Sequence, residues 1–203
     1  MLRVCLTGSI GVGKSFVTSV LNDLGCHTLD ADLTAREVVL PGSPGLAAII
    51  NEFGADVLEA DGTLNRKVLG ALVFADERKR ELLNSILHPI IIERQDQVMR
   101  EWEAQDPNGI GVIDAALAIE SGGYRRFDKL IVVHCRPEIQ LQRIMERDGI
   151  SRTQAEARVA AQMSQEEKLK LADLAIDTSE GFAETRRRTE DVYRQLRLIA
   201  DKA

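Results

Sequence analysis

At 203 residues, 44% of them hydrophobic, the chain is long enough to bury one sizeable core, and nothing in it reads as disordered or low-complexity. A formal net charge of −6 argues against a nucleic-acid partner gripped by bulk electrostatics, although local arginines can still hold a small anion. No segment approaches the roughly 18 apolar residues of a membrane span. The N-terminal apolar run is too short for a signal peptide, and Cys5, Cys26 and Cys135 lack paired spacing, so a soluble, cytoplasmic protein with reduced thiols is expected.

The first element is a β-favouring run, LRVCLT (2–7), followed at once by a glycine-rich loop. Ser15 to Leu24 then carries apolar residues at helical spacing, Gly25 stops it, and HTLD (27–30) is a second strand. A strand–loop–helix–strand unit opens a parallel α/β sheet with right-handed crossovers. Roughly eighty residues follow before the next strand, too many for an ordinary crossover. Apolar stripes predict helices over 43–53, 66–74, 76–87 and 89–104, punctuated by Pro41-Gly42-Ser43-Pro44 and Asp61-Gly62. Further strands are expected at Ile110–Asp114, Lys129–Cys135 and Leu174–Asp177. Glu138 to Asp148 is helical and ends at Gly149, while Ser151-x-x-Gln154 and Ser164-x-x-Glu167 fit capping boxes that start two more helices. The last helix runs from about Glu180 to the C-terminus.

The fold class is therefore α/β: a doubly wound sheet of about five parallel strands with a helical insertion and a helical lid. A single domain is expected, with its core in 1–31, 109–135 and 172–203, an inserted lobe over about 32–108 and a lid over about 138–171.

Gly8-x-x-x-x-Gly13-Lys14-Ser15 is a complete phosphate-loop signature between a strand and a helix. Its amides can point at phosphate oxygens and the following helix adds a positive end. Gly8, Ser9, Ile10, Gly11, Val12, Gly13, Lys14, Ser15 and Phe16 are the nucleotide-binding candidates, with Lys14 on the β- and γ-phosphates and Ser15 on Mg²⁺. The plain alternative is a glycine-rich turn with a solvated lysine.

The loop does not say what becomes of the γ-phosphate. A GTPase needs Asn-Lys-x-Asp, which is missing, and a motor ATPase usually has a glutamate after the acid that ends its Mg²⁺-associated strand, where Asp114 is followed by Ala115. A kinase needs a carboxylate at the acceptor hydroxyl and cations over the transferred phosphate. LDADLTARE (29–37) supplies Asp30 and Asp32 at the end of the second strand, with Arg36 four residues after Asp32. Asp32 reads equally as a helix cap or as the acceptor-side base. Arg143 and Arg147 share a helix face, with Arg152 and Arg158 nearby; a lid or a solvated charged face paired with Glu146 and Asp148 both fit.

The chain also resembles the dephospho-coenzyme A kinases, along its whole length. The shared blocks are TGSIGVGKS, LDADLTAREVVLPGSPG (29–45), FGADVL (53–58), DGTLNRKVLGALVF (61–74), LNSILHPII (83–91), QLQRIMERD (140–148), ARVAAQMS (157–164) and LADLAIDTS (171–179). The resemblance implies transfer of the γ-phosphate of Mg²⁺-ATP to the ribose 3′-hydroxyl of dephospho-coenzyme A. It makes Asp32, Lys14, Arg143 and Arg147 the catalytic candidates and the insertion a coenzyme A lobe. Thr7, Asp32, Arg36, Arg66, His88 and Asp114 become the acceptor-side candidates, although His88 before Pro89 could equally end one helix and cap the next. The chain departs from the family pattern in three places. AALAIE (115–120) keeps Leu117 and Glu120 but lacks the usual proline and aromatic, Thr178 stands for an asparagine, and Phe16 for a threonine. A nucleoside or nucleotide kinase and a regulatory nucleotide-binding module without transfer activity are the competing readings.

Overall fold

The computed structural model describes residues 1–202. Its elements run β1 (Leu2–Thr7), α1 (Lys14–Asp23), β2 (His27–Asp30), α2 (Ala31–Glu37), α3 (Pro44–Phe53), α4 (Arg66–Ala75), α5 (Glu77–Gln105), β3 (Ile110–Asp114), β4 (Lys129–His134), α6 (Pro137–Asp148), α7 (Arg152–Ala160), α8 (Gln165–Leu169), β5 (Leu174–Asp177) and α9 (Gly181–Ala200). The chain divides into two compact units, one of residues 1–29 and 101–203, the other of residues 30–100.

The first unit holds a five-stranded sheet in the order β2-β3-β1-β4-β5. β1 is central, pairing in parallel with β3 (Leu6 opposite Asp114) and with β4 (Thr7 opposite Val132), and β4 pairs in parallel with β5. These strands are apolar almost throughout, as parallel strands covered on both faces must be. Alternate residues serve alternate faces. Val4, Leu6, Val112, Ile131, Val133 and Ile176 pack with Val17 and Leu21 of α1 and Val192 and Leu196 of α9. Cys5, Leu130 and Val132 face the other way, onto Ala118 and Ile119. Each fully buried Leu or Ile here contributes about 1.5–3 kcal/mol. The predicted capping boxes at Ser151 and Ser164 form as expected, with Gln154 and Glu167 reaching back to the cap residues.

The second unit is helical around Val38, Val39, Ile49, Val57 and Leu69. Ser43 caps α3 through the Leu46 amide and Asn65 caps α4 through that of Val68.

Two local expectations change. The segments 76–87 and 89–104 are one continuous helix, α5, with Pro89 inside it. A proline there forfeits one backbone bond and crowds the preceding turn, at about 3 kcal/mol. Leu83, Leu87, Ile90 and Ile91 on both sides of it pack onto the unit's core, which holds the helix through the break. His88 therefore neither ends nor caps a helix. The cap of α2 is Asp30, whose carboxylate accepts the amides of Asp32 (2.7 Å) and Leu33 (3.3 Å), so Asp32 is not the cap.

Candidate active site

β1 delivers the chain to the centre of the sheet's C-terminal edge, where ligands of open parallel sheets bind. Gly8 lies so close to β4 that a Cβ there would come within 2.6 Å of the Val133 carbonyl. Gly13, immediately before α1, has φ +84°, a left-handed conformation that L side chains rarely adopt. Among the described residues, the N–H groups of Gly11, Gly13, Lys14 and Ser15 meet no protein acceptor. Unpaired successive amides at a helix N-terminus are an anion cradle.

Lys14 is ion-paired with Asp114 at the end of β3, and the Thr18 hydroxyl lies 2.7 Å from the other oxygen of that carboxylate. Asp114 is 5% exposed. Burial, with the Asp114 charge second, pushes the neighbouring Cys5 thiol up to about 12, so it stays protonated and inert at neutral pH. Ser15 is exposed and its hydroxyl makes no bond to the described protein. Thr7 is fully buried, its hydroxyl donating to the Ala116 carbonyl (3.1 Å), which ties β1 to the segment after β3. Phe16 meets Phe182 edge-on, their ring centroids 4.8 Å apart. Val12 is in the core, and the Ser9 hydroxyl donates to the Met163 carbonyl (3.3 Å).

The arginines separate. Arg143 lies against the loop: its guanidinium donates to the hydroxyl (2.9 Å) and carbonyl (2.8 Å) of Thr178, and a Cβ on Gly13 would meet it at 3.3 Å. The Thr178 hydroxyl in turn donates to the Val12 carbonyl (2.6 Å), so the departure from asparagine here supplies a tie between β5 and the loop. Arg147 instead makes a two-pronged pair with Asp148 (2.7 and 3.0 Å), which Arg158 also joins. Hydrogen bonds from Arg147 hold the Asp148 carboxyl below the usual range. Arg152 pairs with Glu138 and Glu156. One arginine of the four thus touches the loop, and the others form a charged face.

α6 is itself docked on the loop: Leu141 and Ile144 pack with Ile10, and a Cβ on Gly11 would come within 2.6 Å of Ile144. α8 is anchored by Lys168, fully buried, whose ammonium meets Glu120 (2.8 Å) and the Ala116 carbonyl (3.1 Å). Thr18, Gln140, Gln162, Gln165 and Lys168 were not singled out from sequence, and Thr178 was noted only as a departure from the family pattern.

On the second unit, Asp32 and Arg36 occupy α2, Arg66 begins α4 and His88 lies within α5. All four side chains are exposed and make no bond to the described protein.

Residues 2–184 match the family model for dephospho-CoA kinase. The chain belongs to the dephospho-CoA kinase family. It is 43% identical to the dephospho-CoA kinase of Streptomyces avermitilis, over 97% of this chain and 94% of that one. The dephospho-CoA kinase structure from Campylobacter jejuni superposes with a TM-score of 0.72 at 30% identity, covering 96% of each chain. A shikimate kinase from Bacteroides thetaiotaomicron, 14% identical with a TM-score of 0.50, shares the fold, over 96% of this chain and 98% of that one. No helix among the described residues is long and apolar enough to cross a membrane.

Proposed function

We propose that the Gly8–Ser15 loop holds Mg²⁺-ATP and that the acceptor is the ribose 3′-hydroxyl of dephospho-coenzyme A, oriented by Asp32. ATP-dependent phosphorylation of dephospho-coenzyme A, the last step of coenzyme A synthesis, is the reaction of the family to which the chain belongs. The observation that carries the loop's part is the set of unpaired amides at Gly11, Gly13, Lys14 and Ser15, alongside the Lys14 ammonium. Lys14 exchanges the Asp114 carboxylate for the β- and γ-phosphates as ATP enters.

No cluster of three or more His, Cys, Asp or Glu suited to a metal exists among the described residues. The Ser15 hydroxyl and the Asp114 carboxylate are nonetheless the hard oxygen donors that Mg²⁺ prefers, and Mg²⁺ commonly takes one or two protein ligands with substrate phosphates. When bound, the ion neutralises charge on the β- and γ-phosphates.

Asp32 follows the end of β2 by two residues and has no protein partner, so its carboxylate is available to an incoming hydroxyl. The loose transition state of phosphoryl transfer asks little of a base, and the proton leaves late. Positioning then supplies most of the rate. Arg143 lies against the loop, and Arg147 joins it only by giving up Asp148. Arg36, Arg66 and His88 are proposed to hold the acceptor, with Thr7 and Asp114 as further acceptor-side candidates. A helical coenzyme A lobe over about 32–108 and a lid over about 138–171 belong to the same reading, as does a cytoplasmic location.

Incubation of the purified protein with Mg²⁺-ATP and dephospho-coenzyme A should give ADP and a product heavier by one phosphate, with ³¹P NMR locating it on the 3′ oxygen. A parallel panel of nucleosides and nucleotides should stay unphosphorylated. ADP release with a nucleoside but not with dephospho-coenzyme A would replace this reading with a nucleoside kinase.

A further inference from the structure

The backbone of Ile10, in the middle of the phosphate loop, is gripped from both sides by glutamine side chains. Its N–H donates to Gln162 Oε1 (2.8 Å) and its carbonyl accepts from Gln140 Nε2 (2.7 Å). Behind Gln140 stands Gln165, whose Nε2 donates to Gln140 Oε1 (2.8 Å) and whose Oε1 accepts the N–H of Cys135, just past β4 (2.8 Å). Gln140 is 2% exposed, a buried amide with both ends in use.

The direction of this chain is fixed by its ends. It begins at a backbone N–H that only donates and finishes at a backbone carbonyl that only accepts, so each intervening amide has one permitted orientation. Inverting any link would set acceptor against acceptor in a buried place, which costs more than the bond contributes.

The loop's amides are thereby divided between two tasks. The N–H of Ile10 is committed to the protein, while those of Gly11, Gly13, Lys14 and Ser15 remain open. We infer that Gln140 and Gln162 are positioning residues that fix the phosphate loop in its ATP-binding shape, and that Gln165 acts through Gln140. None of the three needs to touch the nucleotide. Donors already aimed at their target spend no binding energy on reorganisation, so loosening Ile10 weakens ATP without altering the acceptor side. The inference rests on the reading that this loop binds the phosphates of ATP.

Steady-state kinetics on the full chain, with melting temperatures, test it. Gln162→Met keeps the bulk of a half-buried side chain and removes the acceptor. KM for ATP should rise roughly threefold to tenfold, the equivalent of one hydrogen bond, with kcat and the KM for dephospho-coenzyme A near wild type. Gln140→Glu puts a carboxylate against the Ile10 carbonyl. Its larger KM defect at pH 8 should shrink as the pH falls and the protonated carboxyl regains a donor. Gln165→Met should show a smaller rise in the same constant. A Gln162→Met enzyme with wild-type melting and wild-type KM for ATP overturns the inference, as does an equal rise in both KM values. Should Gln140→Glu fail to fold, the Gln162→Met result decides alone. Lys14→Ala separates the two levels: if it too leaves ATP binding intact, the loop reading itself fails.

Discussion

The two units hold their functional side chains in opposite states. In the first, Lys14 is paired with Asp114, Arg143 with Thr178, and Ile10 with two glutamines. In the second, Asp32, Arg36, Arg66 and His88 stand in solvent with no bond to the described protein. On the proposed assignment, ordering costs at the nucleotide side chains are met during folding, whereas those at the acceptor side chains arise when the acceptor binds. Substitutions in the first unit should therefore disturb ATP and the fold together. Substitutions in the second should act on turnover or acceptor affinity with the fold intact.

Lys14→Ala is the harshest test of that contrast. It removes the loop's cation and leaves Asp114 buried without it, so kcat/KM for ATP should drop by about three orders of magnitude. Melting should also change. Asp32→Asn should lower kcat by about a hundredfold or more while KM for ATP and the melting temperature hold. Wild-type turnover in that variant would remove Asp32 from the chemistry, and a large loss of stability would erase the contrast between the units.

Within the first unit, Arg143→Met should cost about tenfold or more in kcat, because a group lying on the loop is lost. Arg147→Met should cost less than about twofold, since exposed pairs such as Arg147–Asp148 contribute little. Equal damage from both would show that Arg147 leaves Asp148 during turnover.

The smallest effect concerns pH. Burial pushes the Cys5 and Cys26 thiols from 9.0 up to about 12 in the folded chain. Unfolded thiols ionise first as pH rises, so this stabilisation is complete below about pH 9 and is lost between about pH 9 and about 12. Urea midpoints should fall over the alkaline part of that window, and Cys26→Ala should flatten the decline. An unchanged slope would mean that Cys26 ionises freely in the folded protein.

The fold was legible because its signals are local. The phosphate loop is a contiguous pattern, and the capping boxes at Ser151 and Ser164 need four residues each. Pro89 misled because its local penalty is overridden by Leu87, Ile90 and Ile91, which are anchored by residues remote in sequence. The Asp-Ala-Asp triplet offers two possible caps two residues apart, and a start at Ala31 rather than Asp32 passes the role to Asp30. The glutamines around Ile10 were invisible for a different reason. Their amides have no periodicity, and Gln162 finds its target 152 positions away. Thr178 stood out only as a departure, and its tie to Val12 became readable once β5 lay beside β4.

The pairing of Lys14 with Asp114 has a consequence for how the enzyme responds to ionic strength. The loop does not offer ATP a bare cation, because its ammonium already faces a countercharge shielded from solvent. With Lys14 on the triphosphate as proposed, one anionic partner is exchanged for another, so part of the electrostatic gain is cancelled and what remains resists screening by added salt. Affinity for ATP should then change only shallowly with potassium chloride, and selectivity for triphosphate over other anions would come from the fixed amides more than from charge.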